Sequence, residues 1–160
     1  MRNLILVVLF VVACQPETGS SFARPMETTA SPILIPIQEQ IRQGEFLYLE
    51  HCASCHGANL EGQADWKIQN DDGSFRAPPH DASGHTWHHG DPSLLEAIRL
   101  GGSRFEGLNI GGTSDMPAFE DILTDDEIVA VLTYIKNTWP EDVQTMQQEA
   151  TIREENSDNE

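Results

Sequence analysis

Two long stretches of this chain carry no apolar period, and they limit what the rest can build. Asn59 to Gly90 is filled with Gly, Asp, Pro and His, and Gly101 to Phe119 holds five glycines. Loops of that length inside a compact domain are uncommon and call for their own explanation. Around them lie three modest helical patterns. Gln38 to His51 carries Ile41, Phe46, Leu47, Tyr48 and Leu49, a broad apolar distribution rather than one clean stripe. Asp91 to Leu100 is well punctuated, with Asp91 as N-cap, Pro92 at the first helical position and Gly101 as the stop. Thr124-Asp125-Asp126-Glu127 reads as a capping box that opens a helix to about Thr138, with Ile128, Val131, Leu132 and Ile135 as its apolar stripe. Three such helices do not close a core by themselves. A large apolar ligand at the centre would give both loops something to wrap.

Cys52-Ala53-Ser54-Cys55-His56 names that ligand. C-x-x-C-H is the attachment signature of c-type haem. Two thiols at this spacing reach the two vinyl groups of one porphyrin, and His56 then lies under the iron as an axial ligand. The same residues could also spell a disulfide, a thioredoxin-like redox pair or half of a zinc site. A thioredoxin-like pair follows a strand and opens a helix, whereas this one ends a helical run. A zinc site wants a second Cys pair, and the one other cysteine is Cys14. The expectation is one haem c per chain, covalently attached through Cys52 and Cys55.

A second axial ligand is wanted about sixty residues further on, and Met116-Pro117-Ala118-Phe119 lies there, in the Gly-rich wrap before the last helix. Met116 would otherwise be ordinary packing, because Met fills irregular gaps well. Met1, Met26 and Met146 lie in the N-terminal segments and the tail, away from both loops.

The N-terminus reads as an export signal. Arg2 is followed by the apolar run Leu4 to Val12 and by small Ala13. The apolar block is too short to span a membrane, which takes about 20 residues. Val11-Val12-Ala13-Cys14 resembles the lipobox of bacterial lipoproteins, in which the Cys is lipidated and becomes the first residue of the mature chain. The alternative is ordinary cleavage near Ala13. Residues 1–13 are therefore read as signal peptide and 14–36, rich in Pro, Ser and Thr, as a lipid-anchored flexible tether. Residues 37–140 form the domain, and 141–160 read as an acidic, disordered tail.

The formal charge is −17, and −18 once Arg2 leaves with the signal. Such acidity excludes phosphate-directed nucleic-acid binding and a polybasic grip on anionic membranes. It points to redox partners with basic docking surfaces and to electrostatic steering. A monomer is expected, attached to the membrane by its lipid alone.

From Gln38 to Trp139 the sequence resembles class I cytochromes c. Gly44 lies eight residues before Cys52 and Tyr48 four before it, where that family places a small and an aromatic residue on its N-terminal helix. Leu132-Thr133-Tyr134-Ile135-Lys136 resembles its C-terminal helix, and Met116-Pro117-x-Phe119 its axial-Met loop. The resemblance implies an all-α fold of three to four helices wrapped around one covalently bound haem, with the terminal helices crossing at the small Gly. Ala77-Pro78-Pro79 resembles the family's Pro segment, where a Pro carbonyl accepts the second imidazole N–H of the axial His. The resemblance assigns that place to Pro79, after an insertion around Ala64 to Ser74.

Gly84-His85-Thr86-Trp87-His88-His89, with His80 nearby, leaves three readings open. Imidazoles suit a second metal such as copper. One His could replace Met116 on the iron. Or Trp87 packs on the haem edge while the histidines meet propionates or solvent. The function expected is one-electron transfer outside the cytoplasm, on the periplasmic or extracytoplasmic face of a bacterial membrane, by a carrier rather than an enzyme. With His56 and Met116 both on the iron, little room remains for substrate chemistry. The alternatives are a ligand-binding or peroxidatic haem protein and an electron-entry subunit of a larger redox complex.

Overall fold

The computed structural model describes residues 34–157. The signal peptide, Cys14 and most of the tether lie outside them. Among the described residues there are five α-helices, α1 Leu34–His51, α2 Ala53–His56, α3 Asp91–Leu100, α4 Asp125–Asn137 and α5 Glu141–Ser157, with short 3₁₀ helices at Thr86–His88 and Gly101–Phe105. Among the described residues there is no strand, only an isolated bridge between Ser74 and Thr113. The chain is all-α, as the sequence implies. No helix among these residues is long and apolar enough to cross a membrane.

Helix α1 begins at Leu34, earlier than the apolar pattern suggests, and takes in the last three residues read as tether. Pro36 falls in the first turn, where its missing N–H would have had no intrahelical partner anyway. The broad pattern of α1 resolves into two faces. Leu47 and Tyr48 are buried, while Phe46 and Leu49 remain exposed.

Helices α1 and α4 cross at Gly44. A Cβ there would overlap the Ala130 carbonyl and stand 2.9 Å from the Tyr134 Cβ. Only a residue without a side chain lets the backbones approach this closely. The Tyr48 and Tyr134 rings fill the flank of the crossing, 5.5 Å apart. Ile128, Val131 and Ile135 of α4 join Leu47, Tyr48, Leu60, Phe119, Leu123 and Trp139 in the buried core. The capping box that opens α4 forms in full. Thr124 Oγ1 accepts from the Glu127 N–H, and the Glu127 carboxylate accepts from the Thr124 N–H at 2.9 Å.

Helix α3 departs from the expected cap. Gly90 holds the N-cap position and Asp91 is already helical. The Asp91 carboxylate instead accepts from Lys136 Nζ at 2.7 Å and from Gln147 Nε2 at 2.6 Å. The free N–H groups at the start of α3 are met from α5. Asp91 N–H donates to Thr151 Oγ1 at 3.0 Å, and Ser93 N–H to Glu154 Oε1 at 3.1 Å.

Residues 141–157 are thus not the disordered tail that the sequence suggested. They form a helix that buries Val143, Gln147 and Ala150. Val143 joins the apolar core, and the other contacts that dock the helix are largely polar, which an acidic composition hides. Gln147 is fully buried, and its Nε2 faces the His89 carbonyl, Asp91 Oδ1 and Thr151 Oγ1. Glu141 and Asp142 in the first turn also suit the positive end of the helix.

The two long loops hold each other. Phe75 N–H donates to the Thr113 carbonyl at 2.8 Å, Thr113 N–H to the Gly73 carbonyl at 3.2 Å, and Gln69 Nε2 to the Gly111 carbonyl at 2.8 Å. The segment read as an insertion is therefore the strip that ties loop 57–85 to loop 106–119.

Candidate haem site

The attachment motif sits at the junction of α1 and α2. Cys52 N–H donates to the Tyr48 carbonyl at 2.8 Å, and the turn Ala53–His56 carries the rest of the motif. Gly57, at φ +82°, ends that turn, and its carbonyl accepts from the buried Tyr48 hydroxyl at 3.0 Å. Tyr48 thus anchors the helix crossing and the motif together. Cys55 is exposed and Cys52 partly buried.

His56 is buried, with 8% of its surface exposed. Its Nδ1 lies 2.9 Å from the Pro78 carbonyl oxygen. A carbonyl only accepts, so Nδ1 carries the proton and donates it. Desolvation lowers the pKa of His56, against the opposing effect of that bond. A neutral ring protonated at Nδ1 presents a lone pair on Nε2, the form in which imidazole binds a metal.

The partner of His56 is Pro78, not Pro79. The Pro79 carbonyl instead accepts from Thr86 Oγ1 at 3.4 Å. Consecutive carbonyls along an extended Pro-Pro segment face different directions, so only one of the two reaches the ring. The sequence shows the pair of prolines but not their rotation. Two glycines grip this segment. A Cβ on Gly62 would press on Pro78 and Pro79, and one on Gly84 would press on the Pro79 carbonyl.

Cys52, Trp87 and Met116 all pack, partly buried, against the same apolar cluster. Met116 is set by its backbone: Gly102 N–H donates to the Met116 carbonyl at 2.7 Å, and Phe119 N–H returns to the Arg99 carbonyl at 2.9 Å. Trp87 Nε1 is buried and has no hydrogen-bond partner. A buried indole N–H normally finds an acceptor. A haem propionate is an acceptor of the kind it lacks. That orphaned donor, a His with a free Nε2 lone pair and two thiols in one turn fit a covalent haem.

The histidines meet ring partners in pairs, His85 also meeting His89 edge to face at 5.6 Å. His85 lies flat on Trp66 at 5.2 Å between ring centroids, His88 on Trp87 at 3.7 Å, and His80 on His56 at 4.1 Å. Among the described residues no group of three or more His, Cys, Asp or Glu is placed to hold a metal ion. The sequence left His80 among three open readings of the histidine cluster, because nothing along the chain signals that its ring folds back onto the axial His.

An all-α domain with its helices crossing at a glycine and a C-x-x-C-H turn beside the crossing defines a c-type haem domain. Residues 41–139, more than half of the chain, match the cytochrome c family, and the chain belongs to that family. Neither the curated proteins nor the solved structures give a significant match. Family membership carries covalently attached haem c and haem-based electron transfer, in a family whose members are typically carriers.

Proposed function

We propose that this chain is an exported, lipid-tethered monohaem cytochrome c of class I. It would pass single electrons between partner proteins, with His56 and Met116 as axial ligands. When bound, the haem supplies the one-electron Fe(III)/Fe(II) couple. The chain does the rest. Cys52 and Cys55, at the end of α1, would hold the haem covalently through their sulfurs. His56 offers Nε2 because its Nδ1–H is committed to the Pro78 carbonyl. Trp87 holds an N–H available to a propionate. Met116 offers a thioether from a loop pinned by Gly102. Thioether and imidazole together favour a raised potential.

The observation that carries this reading is the setting of His56: buried, with its Nδ1 committed to the Pro78 carbonyl, one residue after the second thiol. The test is a spectroscopic redox titration of the purified protein. The reading expects thioether-linked haem, a low-spin ferric spectrum with the weak red band of Fe–S(Met), and loss of that band with a lower potential in Met116→Ala. A high-spin ferric spectrum in the wild type would favour the ligand-binding or peroxidatic alternative.

Location and partners extend the proposal. The apolar run ending in Val12-Ala13-Cys14 supports lipid attachment at Cys14 and residence on the outer face of a bacterial membrane. Intact mass of the native chain tests it, and an absence of acyl mass refutes it. A charge of −17 supports partners that surround their electron port with Lys and Arg. Electron transfer to such a partner slows as salt shrinks the Debye length from about 30 to 8 Å. A rate indifferent to salt would leave the charge a role in solubility alone.

A further inference from the structure

We propose that His80 is a positioning residue for the axial imidazole: its ring backs His56, fixes the ligand plane and keeps water off the bond to Pro78. The inference rests on the reading of His56 as an iron ligand. The two rings lie 4.1 Å apart between centroids and 21° from parallel. They are stacked, not merely adjacent.

A stacking ring positions its neighbour only if it is itself held, and His80 is held at its backbone and at its ring. Its N–H donates to the Leu60 carbonyl at 2.8 Å, and its own carbonyl accepts from Trp139 Nε1 at 2.7 Å. The first bond ties it to the loop after the motif, the second to the residues just beyond α4. On the ring, Nδ1 lies 2.9 Å from Thr86 Oγ1, and the Thr86 hydroxyl donates onward to the Pro79 carbonyl at 3.4 Å. The hydroxyl proton is thereby spent, so Thr86 Oγ1 accepts and His80 Nδ1 donates. The Tyr48 ring meets it in a T-shaped contact, 6.3 Å between centroids.

The arrangement is a doubled device. His56 donates directly to the Pro78 carbonyl, and His80 reaches the next carbonyl through Thr86. Two imidazoles are thus clamped in register by two consecutive prolines. An aliphatic side chain at position 80 would fill space but would neither present a flat face nor reach Thr86. The position of the ring has an electronic consequence. Water admitted beside His56 would favour the more highly charged ferric state, and a tilted ligand plane would change the field at the iron.

The experiment compares wild type with His80→Ala, His80→Phe and Thr86→Val, all as full-length holoprotein. The readouts are the ferric low-spin electron paramagnetic resonance spectrum and the reduction midpoint. His80→Ala is expected to shift the g-values. It should also move the oxidised-to-reduced ratio at fixed ambient potential at least threefold toward oxidised, about 28 mV at 59 mV per decade. His80→Phe keeps a stacking face and is expected to recover most of both signals. Wild-type g-values and midpoint in His80→Ala would overturn the proposal. If that variant fails to retain haem, Thr86→Val decides. It removes one hydroxyl and is expected to give a smaller shift of the same sign, and no shift would overturn the proposal equally. Failure of the underlying reading shows separately, as a high-spin spectrum in the wild type before any substitution is made.

Discussion

The α1–α4 crossing and the α3–α5 junction solve the same problem by opposite chemistry. At the crossing, Gly44 brings two backbones together and apolar side chains seal the contact. At the junction, an acidic helix is seated through Gln147, Thr151 and Glu154 on the N-terminus of α3. Close packing tolerates no added volume and gains from every buried methylene. Polar docking tolerates volume but loses when one partner is removed, because the others stay buried and unpaired. The first kind of contact holds the C-x-x-C-H turn, and the second holds the loop that carries Trp87.

The largest effect is expected at the crossing. Gly44→Val would drive a branched side chain into the Ala130 carbonyl, and an overpacked core costs about 1–3 kcal/mol or more. Here backbone meets backbone, so the upper end is expected, read as a lowered denaturation midpoint. Ile128→Ala, a truncation at a fully buried position on the same face, is expected to cost about 2–5 kcal/mol depending on how far the site collapses. If Gly44→Val were as stable as wild type, the helices would have to separate without penalty. The two halves of the comparison would then no longer differ.

At the junction the expected losses are smaller and of another origin. Gln147→Leu nearly conserves volume but strips the donor from the His89 carbonyl and one donor from Asp91, which keeps Lys136. Leaving such acceptors unmet costs about 1–3 kcal/mol. Thr151→Val removes the acceptor for the Asp91 N–H and should cost about 1 kcal/mol, the usual value of a helix cap. Denaturant titration of both variants checks the order. A Gln147→Leu protein more stable than wild type would show that burial alone seats α5.

Legibility followed the same division. The crossing was legible through the resemblance carried by Gly44, Tyr48 and Tyr134, and its physical reason is close approach at a glycine with aromatic filling beside it. The capping box at Thr124 was readable because both of its partners are local. The docking of α5 was not, since the side chains that seat it are Gln, Thr and Glu, which look the same whether buried or solvated. The Pro segment was half readable. Two adjacent prolines were visible, but which carbonyl faces His56 depends on a rotation that composition does not encode. His80 was visible only as one more His in a His-rich loop.

The smallest effect sharpens the comparison at its most local point. Glu127 accepts from the Thr124 N–H and hydroxyl, and those bonds lower its carboxyl below the usual 4.5. A folded-state value below the unfolded one means the stabilisation is fully present above the unfolded value. It is lost as pH falls through the folded value. Glu127→Gln keeps an acceptor oxygen but has no charge to titrate. The stability gap between wild type and Glu127→Gln should therefore be constant from neutral pH down to about 4.5 and shrink below it. Relief of self-repulsion in a chain of charge −17 acts on both proteins alike and drops out of the difference. A gap that stayed constant into the acid range would show that the box works through geometry alone and draws nothing from the carboxylate charge.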